Sequence, residues 1–334
     1  MKQLKVQGLR KSFAVRHDWL GRPARHVDAV RGVALEIRGA ETLALVGESG
    51  SGKSTVARLI LQLIRPDAGS VELDGEPIVG LRGAGLRRMR RRLQMIFQDP
   101  YSSLDPTLSI RDILAEPLRV HHGAAASGSR QVLEALLEDV GLPPDFLARM
   151  PHELSGGQRQ RVAIARALAV EPEFIVCDEI VSALDVSTRA QILNLLQKLQ
   201  AEHGLSFLFI THDLSIVRCI ATRVAVMYLG RIVEQGSVEE VFTRPVHPYT
   251  EALLAAVPVL DPTSGRRSWQ MTPAGERPGE APVADSCPYH PRCRYAWERC
   301  RSVAPPLEAL GSRSVACHLI QEPGRRATRS SGAR

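Results

Sequence analysis

Two glycine-rich segments of this chain, Gly47–Thr55 and Leu154–Gln158, have residue types suited to holding phosphate. The first, Gly47-Glu48-Ser49-Gly50-Ser51-Gly52-Lys53-Ser54-Thr55, matches G-x4-G-K-[ST]. In such a loop, backbone N–H groups at a helix N-terminus cradle the β-phosphate. Lys53 would reach the β- and γ-phosphates, and the Ser54 hydroxyl would bind Mg²⁺. The second, Leu154-Ser155-Gly156-Gly157-Gln158, leads into a helical pattern over Arg161 to Leu168. Its adjacent glycines leave N–H groups uncovered at the positive end of that helix. One nucleotide has no use for both loops of one chain. The economical arrangement lets each loop complete a site on another subunit, as half of a nucleotide-driven clamp.

Carboxylates suited to hydrolysis come after the second loop. The apolar run Phe174 to Cys177 ends in Asp178-Glu179, at the strand end where α/β folds bind ligands. There Asp178 would hold Mg²⁺ through water, and Glu179 would orient or polarise the attacking water. A further strand, Leu205 to Ile210, delivers Thr211-His212-Asp213, and His212 could sense a γ-phosphate by hydrogen bonding. Gln98, at the end of the strand Leu93 to Phe97, could contact Mg²⁺ or the water. Near the other end of the chain, Cys287, Cys293, Cys300 and Cys317 stand in C-x5-C-x6-C-x16-C spacing. Four thiolates so spaced can wrap one metal centre, although the short C-x2-C hairpin usual at structural zinc is absent. They also suit a [4Fe–4S] cluster, and packing alone is the third reading. Cys177 and Cys219 read as inert core residues.

The elements needed to position these groups are visible as patterns. Thr42 to Val46 is a buried-strand run, and Val56 to Ile64 carries helical apolar spacing. Val71 to Glu76 reads as a hairpin turning at Asp74-Gly75, and Val224 to Val233 as another around Leu229-Gly230. From about Pro100 to Met150 the pattern is helical, broken by a low-complexity loop at Gly123 to Ser129. A helix from about Ser187 places Ile192, Leu195, Leu196 and Leu199 on one core face. The arginines of Arg87 to Arg92 read as a solvated helix face. Pro258 to Pro282 is a loop or linker, and Arg325 to Arg334 a disordered basic tail.

Composition sets the bounds. At 334 residues and 44% hydrophobic, the chain suits one large α/β domain with a smaller appendage. Aromatics at 4% argue against a base-stacking surface, despite a net charge of +7. The N-terminus lacks the apolar core of a signal peptide, and no run is long enough to span a bilayer. A cytosolic setting is expected, with the six cysteines reduced or metal-bound.

Over about residues 4 to 245 the chain resembles an ATP-binding cassette (ABC) transporter ATPase. Gly47–Thr55 corresponds to its Walker A loop, Gln98 to the Q-loop, and Leu154–Gln158 to the signature. Phe174–Glu179 matches Walker B with its catalytic glutamate, Ser182-Ala183-Leu184-Asp185 the D-loop, and His212 the switch histidine. The resemblance implies two ATP molecules sandwiched between two subunits, with Ser155, Gly156, Gly157 and Gln158 of one facing the Walker A loop of the other. It also implies adenine stacking on an N-terminal aromatic: Phe13 by alignment, with Trp19 second. The connection Arg16 to Val27 is longer than usual. Ile180-Val181 replaces the usual Pro-Thr after Walker B, a change that removes no catalytic group.

His247-Pro248-Tyr249-Thr250 and Cys287 to Cys293 resemble the C-terminal extension of dipeptide/oligopeptide importer ATPases, a group that also includes nickel and glutathione importers. In some of these the cysteines ligate a [4Fe–4S] cluster, which the resemblance carries to Cys287, Cys293, Cys300 and Cys317, with His290 and His318 as substitutes. The expected fold is α/β: a P-loop NTPase core with a β-rich N-terminal subdomain, a helical signature subdomain and a small C-terminal extension. The expected organisation is residues 1–245 as the ATPase (helical subdomain about 99–165), 246–320 as the cysteine-bearing domain and 321–334 as the tail. The implied activity is ATP hydrolysis powering import of dipeptides or oligopeptides. The implied partners are a second ATPase subunit (a paralogue rather than a second copy), two membrane permeases and, indirectly, a substrate-binding protein, at the cytoplasmic face of the inner membrane. Nucleic acid is not expected. The alternatives are a nickel or glutathione importer, a soluble ABC ATPase acting on nucleic acid, or a redox-sensing subunit governed by its cysteines.

Overall fold

The computed structural model describes residues 2–17, 23–99, 103–123, 129–256, 285–322 and 324. Trp19, most of the Gly123 to Ser129 loop, the Pro258 to Pro282 linker and nearly all of the basic tail lie outside these residues. Twelve strands are described: β1 (Gln3–His17), β2 (Pro23–Arg38), β3 (Thr42–Val46), β4 (Ala68–Leu73), β5 (Glu76–Pro77), β6 (Leu93–Ile96), β7 (Phe174–Asp178), β8 (Ser206–Thr211), β9 (Arg223–Tyr228), β10 (Arg231–Ser237), β11 (Glu308–Leu310) and β12 (Arg313–Val315). The chain forms two compact units.

The first unit takes Met1–Leu9, Ala34–Leu43 and Ser54–Thr211. Its parallel strands β6, β7 and β8 pair in register, with Ile96 opposite Cys177 and Cys177 opposite Phe209. All five residues of β7 are buried, as expected of a strand covered on both faces. That burial sets Asp178 at the strand's C-terminal end. An antiparallel pair, β4 and β5, turns through Asp74 (φ 53°) and Gly75 (φ 81°), the left-handed pair that a two-residue hairpin requires. Helix Val186–His203 buries Ile192, Leu195, Leu196 and Leu199, the face expected from their spacing. Helix Gly83–Arg92 buries Met89 and exposes Arg87, Arg88 and Arg90, while Arg92 pairs with Glu173 at 2.6 Å.

The second unit takes Arg10–Val33, Ala44–Lys53 and His212–Arg334. Its strands run in the order β11-β12-β10-β9. The β9–β10 hairpin turns at Leu229 (φ 42°) and Gly230 (φ 84°), and β12 adds to the other edge of β10, pairing Val315 with Glu234. Its core includes Val46, Val226, Tyr228 and Tyr249, together with Cys287, Tyr289 and Cys300. The cysteine-bearing segment is therefore part of a hydrophobic core. Two cysteines expected in the core differ: Cys177 is fully buried, whereas Cys219 is exposed, its Sγ 3.5 Å from the Ser215 carbonyl. The helical apolar spacing around Cys219 belongs to Leu214, Ile216, Val217 and Ile220, which leaves the cysteine on the opposite face. No helix among the described residues is long and apolar enough to cross a membrane.

Candidate functional site

The first unit collects four of the residues expected to handle magnesium and water. Ser54 Oγ donates to Asp178 Oδ1 at 3.0 Å, linking the end of the glycine loop to the end of β7. One residue on, Glu179 is held in left-handed backbone conformation at φ 49°, a geometry that costs a non-glycine residue energy and recurs at functional sites. Its N–H donates to the Ile210 carbonyl at 3.0 Å, and its own carbonyl accepts the Ser182 hydroxyl at 2.8 Å. Gln98 Nε2 donates to Glu179 Oε2 at 3.0 Å. Ser54 and Gln98, far apart in sequence, are thus each hydrogen-bonded to one of the adjacent carboxylates Asp178 and Glu179.

Most of the glycine loop itself, through Lys53, lies in the second unit. A Cβ on Gly47 would stand 2.1 Å from the Met227 carbonyl oxygen, and one on Gly52 (φ 103°) 2.2 Å from that of Ala29. Both glycines are required by these backbone approaches. Lys53, only 5% exposed, donates through Nζ to the Gly47 and Glu48 carbonyls at 2.9 and 3.0 Å. Ser51 is 3% exposed, and among the described residues its hydroxyl has no hydrogen-bond partner. An unmatched buried hydroxyl and a buried ammonium resting on the loop's own carbonyls are donors that a bound polyphosphate would engage. Glu48, expected with the rest of the loop to bind nucleotide, also has contacts outside it. Its N–H donates to Tyr249 Oη at 2.9 Å, and its carboxylate accepts from Arg292 Nη1 at 3.1 and 3.0 Å. Phe13 is 40% exposed, with Lys11 Nζ 5.7 Å from its ring centroid. His212 follows β8 as an exposed residue.

The second glycine segment begins a helix earlier than its sequence pattern indicates. Helix Gly156–Leu168 starts at Gly156, not Arg161, because Ser155 caps it. Ser155 Oγ accepts the Gln158 N–H at 3.3 Å, and Gln158 Oε1 accepts the Ser155 N–H at 2.9 Å, a capping box. The first-turn N–H groups of Gly156 and Gly157 have no intrahelical acceptor. A Cβ on Gly157 would meet Thr188 Cγ2 at 2.4 Å, so this glycine also lets the helix approach the first turn of Val186–His203. Asp185 caps that helix. Hydrogen bonds from the Thr188 N–H, and then from the Thr188 and Ser187 side chains, bring its pKa down to about 2.

Cys287, Cys293, Cys300 and Cys317 line one small cavity of the second unit, with a free volume of about 10 Å³. That is room for about one water-sized sphere. Burial, chiefly, pushes the Cys287 thiol up to about 11 and those of Cys293 and Cys317 up to about 12. The spacing correctly brings the four together. Their expected role as ligands of a [4Fe–4S] cluster is not supported, because among the described residues no group of three or more Cys, His, Asp or Glu side chains is arranged to hold a metal. The two proposed substitute ligands bond elsewhere: His290 Nδ1 lies 2.8 Å from the Cys287 carbonyl and His318 Nε2 3.0 Å from that of Val303.

Comparison with known proteins bears on this geometry. The family model for the ABC transporter matches residues 30–182, and that for the oligopeptide/dipeptide transporter C-terminal region matches residues 233–300. The chain is 49% identical over 317 residues to the "Probable peptide ABC transporter ATP-binding protein y4tS" of Sinorhizobium fredii, covering 95% of this chain and 89% of that one. It is 44% identical to the oligopeptide transport ATP-binding protein OppF of Salmonella typhimurium, covering 94% and 95%. Among solved structures it is similar to the dimeric ATP-binding cassette MJ0796 in a post-hydrolysis state bound to ADP and Pi. The TM-score is 0.63 at 32% identity, over 70% of this chain and 98% of that one.

Proposed function

This chain belongs to the ABC transporter family of ATP-binding subunits, and from that premise we propose that it hydrolyses ATP to drive a peptide importer. The observation that carries the reading is the Ser54–Asp178 and Gln98–Glu179 pair of hydrogen bonds at the end of β7, together with a glycine loop whose buried donors suit polyphosphate. ATP with Mg²⁺, when bound, supplies the phosphoanhydride that is cleaved. Ser54, Asp178 and Gln98 would hold the ion, and Lys53 and the loop's N–H groups would hold the phosphates. Glu179 Oε2 takes a hydrogen bond from Gln98, and the carboxylate so held would orient a water for attack. His212 would sense the γ-phosphate, Phe13 would stack on the adenine and Asp185 would line the dimer seam.

Peptide as the cargo is supported by the C-terminal match and by relatives described as peptide or oligopeptide transport proteins. We read residues 1–245 as the ATPase, with the helical subdomain at about 99–165, and 246–320 as the importer-type extension. Closure of two such subunits would place Ser155, Gly156, Gly157 and Gln158 of each against the Walker A loop of the other, and a paralogue is the preferred partner. An open groove of about 360 Å³ in the first unit, lined by Leu63, Phe97, Val120 and others, is suited to a permease helix. Phe97 precedes Gln98, so a helix seated there acts on the residue bonded to Glu179. The subunit would then work peripherally, at the cytoplasmic face of the inner membrane. No step is assigned to an iron–sulfur cluster, which no metal-holding group among the described residues supports. The test is Mg²⁺-dependent phosphate release by the full chain, alone and reconstituted with permease subunits and candidate peptides. Stimulation by nickel or glutathione and not by peptide would replace the cargo, and absence of phosphate release would sink the reading.

A further inference from the structure

The single turn His290–Arg292 runs between two of the cavity cysteines and ends in an arginine bonded to the phosphate loop. Arg292 Nη1 reaches both carboxylate oxygens of Glu48, at 3.1 and 3.0 Å. The backbone of the same residue is held separately, by Tyr249 Oη on its N–H at 2.9 Å. Glu48 is therefore gripped at main chain and side chain by two different segments of the C-terminal region. Its carbonyl accepts from Lys53 Nζ at 3.0 Å, so the grip acts on the residue that orients the phosphate-binding lysine.

Both gripping residues are themselves held. The Arg292 guanidinium lies 5.8 Å from the Tyr289 ring centroid and 6.0 Å from that of Tyr228, at the outer limit of cation–π contact. Tyr228, Tyr249 and Tyr289, three of the chain's five tyrosines, pack with centroids 4.5 to 5.5 Å apart. Tyr249 follows His247, which is 1% exposed and accepts the Tyr249 N–H on Nδ1 at 3.0 Å. The Glu48 side chain, by contrast, is 45% exposed, so its ion pair adds little to folding. Its effect falls on the shape of the loop.

We propose that Arg292 and Tyr249 are positioning residues for the Gly47–Thr55 loop, through which the C-terminal region sets the affinity of the nucleotide site. This rests on reading that loop as the ATP site.

The test is a Mg²⁺–nucleotide titration with a fluorescent ATP analogue, together with steady-state hydrolysis, on the full chain. Arg292→Ala and Tyr249→Phe should each raise Kd and KM for nucleotide by about 3-fold, and together by about 10-fold, with kcat changed less. Glu48→Gln should match Arg292→Ala, and the two combined should be no worse than either alone, as expected of one shared interaction. Arg292→Lys should recover part of the loss. Arg294→Ala, which removes a neighbouring pair with Glu251, should leave affinity unchanged. Wild-type affinity in the Arg292→Ala and Tyr249→Phe proteins, additive Arg292 and Glu48 effects, or equal weakening by Arg294→Ala would each overturn the positioning role. If the double variant fails to fold, the single variants and Arg292→Lys decide. A wild-type chain that binds no nucleotide would sink the ATP reading and this role with it, whereas tight wild-type binding with indifferent variants sinks this role alone.

Discussion

The Gly47–Thr55 loop takes its anchors from distant parts of the chain, whereas Ser155 and Gln158 are held by one another. Around the first loop, Tyr249 and Arg292 hold Glu48, Asp178 holds Ser54, and the backbones of Ala29 and Met227 close on Gly52 and Gly47. Around the second, a capping box between Ser155 and Gln158 satisfies the N–H groups of those two residues, and the Gly156 and Gly157 N–H groups between them have no acceptor in the helix. Two loops of similar composition thus meet different demands. On the proposed reading, one holds an anion within this chain, and the other presents donors to a partner subunit. Variants near the first should disturb nucleotide binding itself. Variants in the second should leave binding intact and disturb dimer closure and hydrolysis.

The largest effect is expected at Glu179, which the proposed function assigns to hydrolysis and not to nucleotide affinity. Glu179→Gln keeps the side chain's shape and an acceptor for Gln98 while removing the carboxylate proposed to orient water. Hydrolysis should fall by roughly 10³-fold with nucleotide affinity retained, and ATP should hold the protein as a dimer in sedimentation. Wild-type turnover in that variant would remove Glu179 from the mechanism. Next comes Lys53→Ala, which takes a buried ammonium out of the first loop. Nucleotide affinity should fall by roughly 10²-fold in a direct titration. Equal loss from a variant in the second loop, measured on the monomer, would erase the distinction between them.

What the sequence revealed about these loops depended on whether the signal was local. The Asp74-Gly75 and Leu229-Gly230 turns are written in two residues each, and both hairpins are present. Strand β7 was legible because burial on both faces demands an unbroken apolar run. The true start of the Gly156 helix was also available in the Ser155-x-x-Gln158 box, but the paired glycines suggested a loop. Arg292 carries no such mark. It meets Glu48 across 244 positions, and nothing in its neighbourhood distinguishes it from the many arginines that face solvent. The cysteine spacing predicted that four thiols would meet. Spacing alone does not decide whether four thiols so gathered take ligand geometry, and among the described residues no metal-holding group is formed.

A smaller effect separates the loops by pH. Burial alone brings the His247 pKa down to about 3, from an ordinary value of 6.5. Between those values the unfolded chain takes up a proton that the folded chain refuses. Stability from this group is therefore complete above pH 6.5 and is lost as pH falls toward 3. The loss at pH 5 should be about 2 kcal/mol. His247→Asn keeps a capping acceptor but removes the titration, so its urea stability should change less than that of wild type between pH 7 and pH 5. Tyr249 follows His247 and carries Glu48, so nucleotide affinity at the first loop should weaken over the same range. A variant as acid-sensitive as wild type would place the titration elsewhere.

The smallest effect expected is at Ser155. Ser155→Ala removes the acceptor for the Gln158 N–H and should cost about 1 kcal/mol of local helix stability. The capping box contains no ionisable group, so this loss should not vary between pH 7 and pH 5, unlike that at His247. The Gly47–Thr55 loop keeps all of its own contacts, so monomer affinity for nucleotide should stay within error of wild type. ATP-dependent dimerisation and steady-state hydrolysis should instead fall together, by about 5-fold if the lost cap free energy is expressed fully in the closed state. Restoration by Ser155→Thr, which keeps the hydroxyl, would assign the effect to the cap and not to the bulk of the side chain. A weaker monomer affinity in Ser155→Ala would mean that the two loops communicate within one chain, and the division of labour between them would fail.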